Sequence, residues 1–276
     1  MIVDGMNLLF QMFYGMPSRI VNKEGKPIHG TLGFVGALLK MMRIVEPTHV
    51  AVLFDGESYN ERKVTDPSYK ANRPDYSEMP ENEVPFSQLP DIYKSLDILN
   101  IKHKETSVCE TDDWIASYAL SYGKDNEIII ASFDSDFFQL VNENIKVLRY
   151  RGDNSIICNE DYIKNRFGID ASRYAFFKAL TGDTSDNVRG VEKVGPKTAA
   201  LLVNRFVDID GLISNINMIE KKSVRESVAR NIDRIVHNYK LIKLDGGLDL
   251  PFNIDQIVYD KQATTTKEVL SKIGLI

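Results

Sequence analysis

Asp4, Asp55, Glu110, Asp112, Asp113, Asp134, Asp136, Asp183 and Asp186 all fall where an apolar run ends or a helical pattern begins. Any one of them reads as an ordinary turn or cap residue, because aspartate readily hydrogen-bonds nearby backbone. As a set they imply more. Carboxylates gathered in one place repel one another and drift toward protonation unless cations balance them. No His or Cys shares these clusters, and oxygen-only donors favour Mg²⁺ or Mn²⁺ over zinc. Two hydrated ions of that kind can activate water and stabilise a leaving oxygen, the chemistry of phosphodiester hydrolysis.

The stretch from Thr181 to Ala200, TGDTSDNVRGVEKVGPKTAA, adds a means of holding substrate. Asp183 and Asp186 are three apart, on one face if the backbone is helical or turn-like, and both could reach one metal. Gly190 through Gly195 into Pro196-Lys197-Thr198-Ala199 reads as a glycine-punctuated turn entering a helix with Pro in its first turn. Backbone N–H groups and a helix N-terminus there could hold a phosphate.

Positioning these acids calls for an open α/β sheet. Ile2-Val3 before Asp4-Gly5 reads as the visible end of a buried strand, and Thr48 to Phe54 repeats the pattern before Asp55-Gly56. Ile128 to Ser132 is a third apolar run, ending in Phe133-Asp134-Ser135-Asp136. Sites in such sheets lie beyond the carboxyl ends of the strands. Helical spacing covers residues 30–45 and 92–99, and Ile101 to His103 reads as a brief strand. Glu110-Thr111-Asp112-Asp113 opens a helix; N-capping accounts for one or two of its acids, and a third suggests a cation. Val147 to Tyr150 and Ile156 to Cys158 read as a hairpin, and the chain from Asn159 to about Leu244 as mainly helical. The last segment reads as loop and a short helix.

The totals describe an ordinary folded chain of 276 residues, 43% hydrophobic and 26% charged. No apolar run approaches membrane-spanning length and the N-terminus has no leader pattern, so the cytoplasm is the expected compartment. Cys109 and Cys158 show no metal or redox spacing and read as packing residues. A net charge of −5 speaks against nucleic acid only until the acids are seen as one cation-balanced pocket. Arg62, Lys63, Lys70 and Arg73, with Tyr69 among them, could contact phosphate; Arg62 and Lys63 read equally well as a solvated face. Pro74 to Pro90, without Lys or Arg, reads as a mobile loop. Trp114 reads as core, and His29, His49, His103 and His237 are scattered and are assigned no catalysis.

Six ordered stretches, VDGMNLLF, THVAVLFDG, YKANRP, ETDDWIASYA, ASFDSDFFQL and TGDTSDNVRGVEKVGPKTA, resemble the 5′-nuclease family of phage flap endonucleases, bacterial DNA polymerase I 5′-nuclease domains and stand-alone 5′-3′ exonucleases. The resemblance implies a PIN-like α/β core over 1–158, with an arch segment at about 60–90, and a helical region over 159–276. That region would carry a helix-three-turn-helix at about 180–206, which grips duplex backbone without reading sequence. By the same resemblance Asp4, Asp55, Glu110, Asp112, Asp113 and Asp134 surround a first metal, and Asp136, Asp183 and Asp186 complete a second, with Asp134 near both. Lys70 and Arg73 would contact the scissile phosphate at the base of the arch, and Tyr69 would stack on an unpaired base. Arg62, Gly190, Lys193, Gly195, Lys197 and Thr198 would meet DNA. A potassium ion would sit on the carbonyls of Leu180, Thr181, Arg189, Val191 and Val194.

Two departures change neighbours without removing a carboxylate: Thr111 stands where Ala is usual, and Ser132-Phe133-Asp134-Ser135-Asp136-Phe137 where Thr-Gly-Asp-Lys-Asp-Leu is common. The implied activity is Mg²⁺-dependent hydrolysis of DNA, with RNA primers as a further substrate, from 5′ ends and at 5′ flaps, by a monomer acting in replication or repair. An aspartyl-nucleophile phosphatase would leave Asp4, Asp55 and the 110–113 acids unexplained. A non-catalytic DNA-junction binder would have no use for clustered carboxylates, which destabilise when unbalanced.

Overall fold

A computed structural model describes residues 1–56, 61–80, 83–107, 109–261 and 263–276. Its centre is a six-stranded sheet made of β1 (Ile2–Asp4), β2 (Ala51–Phe54), β3 (Lys102–Glu105), β4 (Ile128–Ala131), β5 (Ile145–Arg149) and β6 (Ile156–Cys158). The order is β3-β2-β1-β4-β5-β6, parallel except for β6, which returns antiparallel on β5 as the hairpin reading expected. The chain builds outward from β1 in one direction, then jumps back to β4 and builds outward in the other. The carboxyl ends of β1 and β4 therefore border the crevice where such sheets bind ligands.

Parallel neighbours need long crossovers. Helices α1 (Gly5–Gly15) and α2 (His29–Val45) join β1 to β2, α3 (Glu61–Thr65) and α4 (Leu89–Ile98) join β2 to β3, and α5 (Thr111–Tyr122) joins β3 to β4. Alternate strand residues face opposite ways and both faces are covered. Ile2, Leu53, Ile130 and Val147 enter one core with α5 and the later helices. Val3, Val52, Phe54, Ile129 and Leu148 enter a second core with α1, α2 and α4. A fully buried side chain of this kind contributes about 1.5–3 kcal/mol, so the strand ends that carry the acids are firmly held. Trp114 and Cys158 belong to the first core, as expected.

Helices α6 (Glu160–Phe167), α7 (Tyr174–Thr181), α8 (Pro196–Phe206), α9 (Ile209–Ser214), α10 (Lys222–Arg230) and α11 (Ile232–Ile242) make the later part of the chain mainly helical. One hairpin interrupts them: β7 (Gly182–Asp183) pairs antiparallel with β8 (Val188–Arg189). Gly182, at φ 79°, ends α7, and the Ser185 N–H donates to Asp183 Oδ1 at 2.9 Å. Short polar side chains that bond nearby backbone compete with the helix in this way. The C-terminal α12 (Thr266–Lys272) is closed by a Thr265/Glu268 capping box and buries Val269 in the second core.

The loop expected over 74–90 lies partly outside the described residues. The described part holds a turn at 77–79 and a 3-10 turn, Pro85–Gln88. Tyr76 and Phe86 pack edge-on against Phe10 of α1, with centroids 5.9 and 5.6 Å away. Among the described residues, no helix is long and apolar enough to cross a membrane.

Candidate active site

Parallel strand ends and the start of α5 deliver the first acids. Asp4 closes β1 and caps α1: the Asn7 N–H donates to Oδ1 at 3.0 Å, and the Ser132 hydroxyl donates to Oδ2 at 2.8 Å. Asp55 follows β2, and its Oδ1 accepts the Thr111 N–H at 3.0 Å. The first turn of α5 is thus capped from a neighbouring strand. Glu110, the N-cap residue, makes no side-chain cap bond, so capping does not explain that acid. Gly56 lets the chain pass close to β3's exit, since a Cβ there would stand 2.1 Å from the Thr106 carbonyl oxygen.

Arg62 is turned inward, which removes the solvated-face reading. Its guanidinium donates to both oxygens of Asp113 and to Glu110 Oε2, each at 2.7 Å. Asp113 also accepts the Asp245 N–H at 2.9 Å, so it faces Arg62 and the C-terminal loop. The left-handed backbone at Lys70, φ 57°, sends its buried ammonium to Glu110 Oε1 at 2.7 Å. Stacking by Tyr69 needs correcting: its ring is only 4% exposed, packed with Ala175, Val188, Leu241 and Ile242. Its hydroxyl lies 3.3 Å from Glu110 and 3.2 Å from Asp186, the position of a hydrogen-bonded positioner.

Among the described residues, Asp136, Asp183 and Asp186 each bring one carboxylate oxygen within 4.8 Å of the others. Asp136 comes from the turn after β4, the other two from the β7–β8 hairpin. The Lys178 ammonium donates to Asp136 and Asp183, and Arg73 donates to Asp186 at 3.1 Å. Asp134 receives the Asp136 N–H at 2.8 Å on its own Oδ1. Its charge is felt by Asp4, Asp112, Asp136 and Asp186, which places it between the two groups of acids.

Burial, reinforced by these like charges, pushes Asp4 and Asp136 up to about 7 and raises Asp112 and Asp186. Burial would also raise Asp183, but Lys178 and Ser185 hold it below its ordinary value. Burial opposes the charge on Lys70, yet Asp112, Glu110 and Asp186 keep its pKa raised. The pocket thus holds more negative charge than its lysines and arginines balance. Oxygen-only, electron-rich and buried in part, with Asp55 exposed and Asp112, Asp134 and Asp183 half-buried, the donor set fits hard divalent cations.

Next to it, α7, the hairpin and α8 form a compact helix–turn–helix surface. Gly190 permits the crossing, because a Cβ there would lie 2.2 Å from the Thr181 carbonyl oxygen. Gly195 caps α8 without a side-chain bond, Pro196 opens the helix, and Lys193 and Lys197 are exposed beside it, with Thr198 half-buried. Of the five carbonyls expected to hold potassium, Leu180 accepts the Val191 N–H, Arg189 accepts Asn238, and Val191 accepts the Val194 N–H.

Residues 1–168 match the family described as 5′-3′ exonuclease, N-terminal resolvase-like domain, and residues 169–265 match the 5′-3′ exonuclease, C-terminal SAM fold. The chain belongs to the 5′-3′ exonuclease family. It is 31% identical to a 5′-3′ exonuclease of Buchnera aphidicola, over 92% of this chain and 88% of that one. It is 30% identical to DNA polymerase I of Borreliella burgdorferi over 91% of this chain, and it spans about a quarter of the length of that relative. Its fold is similar to the bacteriophage T5 flap endonuclease, in a structure described as a pseudo-enzyme-product complex with DNA and metal ions, with a TM-score of 0.73 and 20% identity over 99% of this chain and 98% of that one.

Within this 5′-3′ exonuclease fold, two contributors escaped the sequence reading. Ser132 is a hydrogen-bond donor to Asp4, with no signal beyond its place at a strand end. Lys178 had a signal: it is a lone lysine in the otherwise apolar or aromatic run Tyr174–Leu180, and a buried lysine requires a counter-charge.

Proposed function

We propose that this chain hydrolyses DNA phosphodiesters from 5′ ends and at 5′ flaps near single-strand/duplex junctions, using two divalent cations, with Mg²⁺ as the physiological ion and Mn²⁺ as a substitute. The observation that carries the reading is the convergence of Asp136, Asp183 and Asp186 at the crevice beside the strand-end acids. Asp136, Asp183 and Asp186 would hold one cation; Asp4, Asp55, Asp112 and Asp134 the other, with Glu110 and Asp113 forming its paired outer wall. Bound there, such cations supply Lewis acidity toward a phosphodiester and lower the pKa of water.

The chain's own residues do the rest. Lys70 and Arg73 stand over the acids from the arch side, where they offset charge on the scissile phosphate's oxygens. Tyr69, hydrogen-bonded to both Glu110 and Asp186, keeps those carboxylates in register. The surface of Gly190, Lys193, Gly195, Lys197 and Thr198 would hold duplex backbone by charge and by the N–H groups at the start of α8. Potassium on the carbonyls of Leu180, Thr181, Arg189, Val191 and Val194 would stiffen that turn. The division into a nuclease core over 1–158, with its arch at about 60–90, and a gripping region over 159–276 belongs to the same reading. So do RNA-primer removal, a role in replication or repair, a monomeric state and a cytoplasmic site of action.

The test is a 5′-flap duplex labelled at the flap end, incubated with Mg²⁺ or EDTA, beside an Asp183→Ala/Asp186→Ala variant and a phosphomonoester control. Release of a flap-length fragment by the wild type in Mg²⁺ alone is expected. Hydrolysis of the monoester alone would replace this reading with the phosphatase, and DNA binding without cleavage would leave a junction-binding module.

A further inference from the structure

Lys178 sits on α7 between Phe177 and Ala179, and its side chain is 7% exposed. Its ammonium donates at once to Asp136 Oδ1 and Asp183 Oδ2, the acids of two different elements. These are two of the three residues whose oxygens meet within 4.8 Å. The third, Asp186, is held separately by Arg73 and Tyr69. A single charge therefore ties the turn after β4 to the β7–β8 hairpin. Without it, buried carboxylates from both elements would face one another uncompensated, a strongly destabilising arrangement.

The same geometry sets a competition. A divalent cation drawing on Asp136 and Asp183 would meet an ammonium already in contact with those oxygens, and the two cations repel. Lysine is suited to yield: its charge is a point at the end of a flexible four-carbon stem, unlike the fixed fork of arginine. Two carboxylates in contact with one ammonium favour its charged form.

We propose that Lys178 is a built-in counter-cation that keeps the Asp136/Asp183/Asp186 site assembled in the metal-free protein and withdraws as a divalent ion enters, thereby setting the site's affinity for that ion. It is a positioning residue, and the inference rests on reading these three acids as metal ligands.

Mn²⁺ binding followed by electron paramagnetic resonance, at mildly alkaline pH where the carboxyls are ionised, tests it together with urea denaturation in EDTA and in saturating Mn²⁺. Lys178→Met, similar in length and uncharged, is expected to bind Mn²⁺ several-fold more tightly than wild type in the binding class that Asp186→Asn abolishes. It is also expected to unfold earlier in EDTA, with the gap closing in Mn²⁺. Lys178→Arg keeps the charge but withdraws less readily, so it should be stable in EDTA and bind Mn²⁺ more weakly; it decides the matter should Lys178→Met fail to fold. Unchanged affinity in the variants overturns the role of Lys178 while leaving the metal site standing. No Mn²⁺ binding sensitive to Asp186→Asn would overturn the metal reading and this inference with it.

Discussion

Glu110 and Asp113 form one wall of the pocket with an arginine between them; Asp4 and Asp112 form another, where burial and the neighbouring carboxylates Asp55 and Asp134 raise both acids. Both walls are acidic, and their counter-charges differ. On the Arg62 side the protein neutralises its own acids with a bidentate pair and a third bond, and the result is a fixed structural wall. On the Asp4 side burial and repulsion push carboxyls upward. That strain is relieved by protons or by external cations. An acidic cluster is thus informative about metals only after its internal salt bridges have been subtracted.

The largest expected effect breaks the neutralised wall. Arg62→Met strands the buried carboxylate of Asp113 and leaves Glu110 with Lys70 alone, and should cost about 3–5 kcal/mol of stability in urea denaturation. A loss below about 1 kcal/mol, the scale of an exposed pair, would remove the contrast between the walls.

The second prediction addresses, through pH, the acids that burial raises on the strained wall and in the Asp136 cluster. Asp4 and Asp136, pushed up to about 7 chiefly by burial, hold protons in the folded chain that the unfolded chain releases near its ordinary value of 3.8. Their stabilising contribution is full below that value and is lost as pH rises through about 7. Asp183, held low by Lys178 against burial, acts in the opposite sense, losing its contribution as pH falls. In EDTA, thermal stability should therefore decline toward neutral pH by an amount on the order of a few kcal/mol, and Mg²⁺ should restore it. A profile that Asp4→Asn and Mg²⁺ both leave unaltered would show that the strained wall is not strained.

The third moves the hairpin without touching Arg62. In Gly190→Ala the new Cβ meets backbone, and a cost of roughly 1–3 kcal/mol is expected, with weaker duplex binding and weaker Mn²⁺ binding as Asp183 and Asp186 shift. Intact Mn²⁺ binding in a destabilised variant would separate the grip from the site. The smallest effect lies outside the pocket. Lys197→Ala should leave metal-linked stability unaltered and reduce the salt dependence of duplex binding by about one counterion, read from affinity at several salt concentrations.

Much of this pocket was legible because its signals are local. A strand ending in Asp-Gly occurs at Asp4-Gly5 and at Asp55-Gly56, and each acid's place follows from the strand before it. The three acids of 110–113 could be assigned to a helix start, but not to their partners. Tyr69, set among basic residues, looked like a surface aromatic; its ring is buried by Val188 and Leu241, which lie more than a hundred residues further along. Of the helical and turn-like readings of Asp183 to Asp186, the turn holds, because Gly182 takes a positive φ and Asp183 bonds its own turn.

Strand periodicity, the glycines after the acids and the carboxylate-only donor set therefore determined the α/β fold and the kind of cation the pocket suits, since each depends on neighbours a few residues away. Which carboxylates the protein would neutralise itself was decided only by tertiary structure. Arg62 reaches Asp113 across 51 residues and Lys178 reaches Asp136 across 42. A charge's partner is set by distance in space, and that distance exists only once the sheet has closed and the helices have packed around its edge.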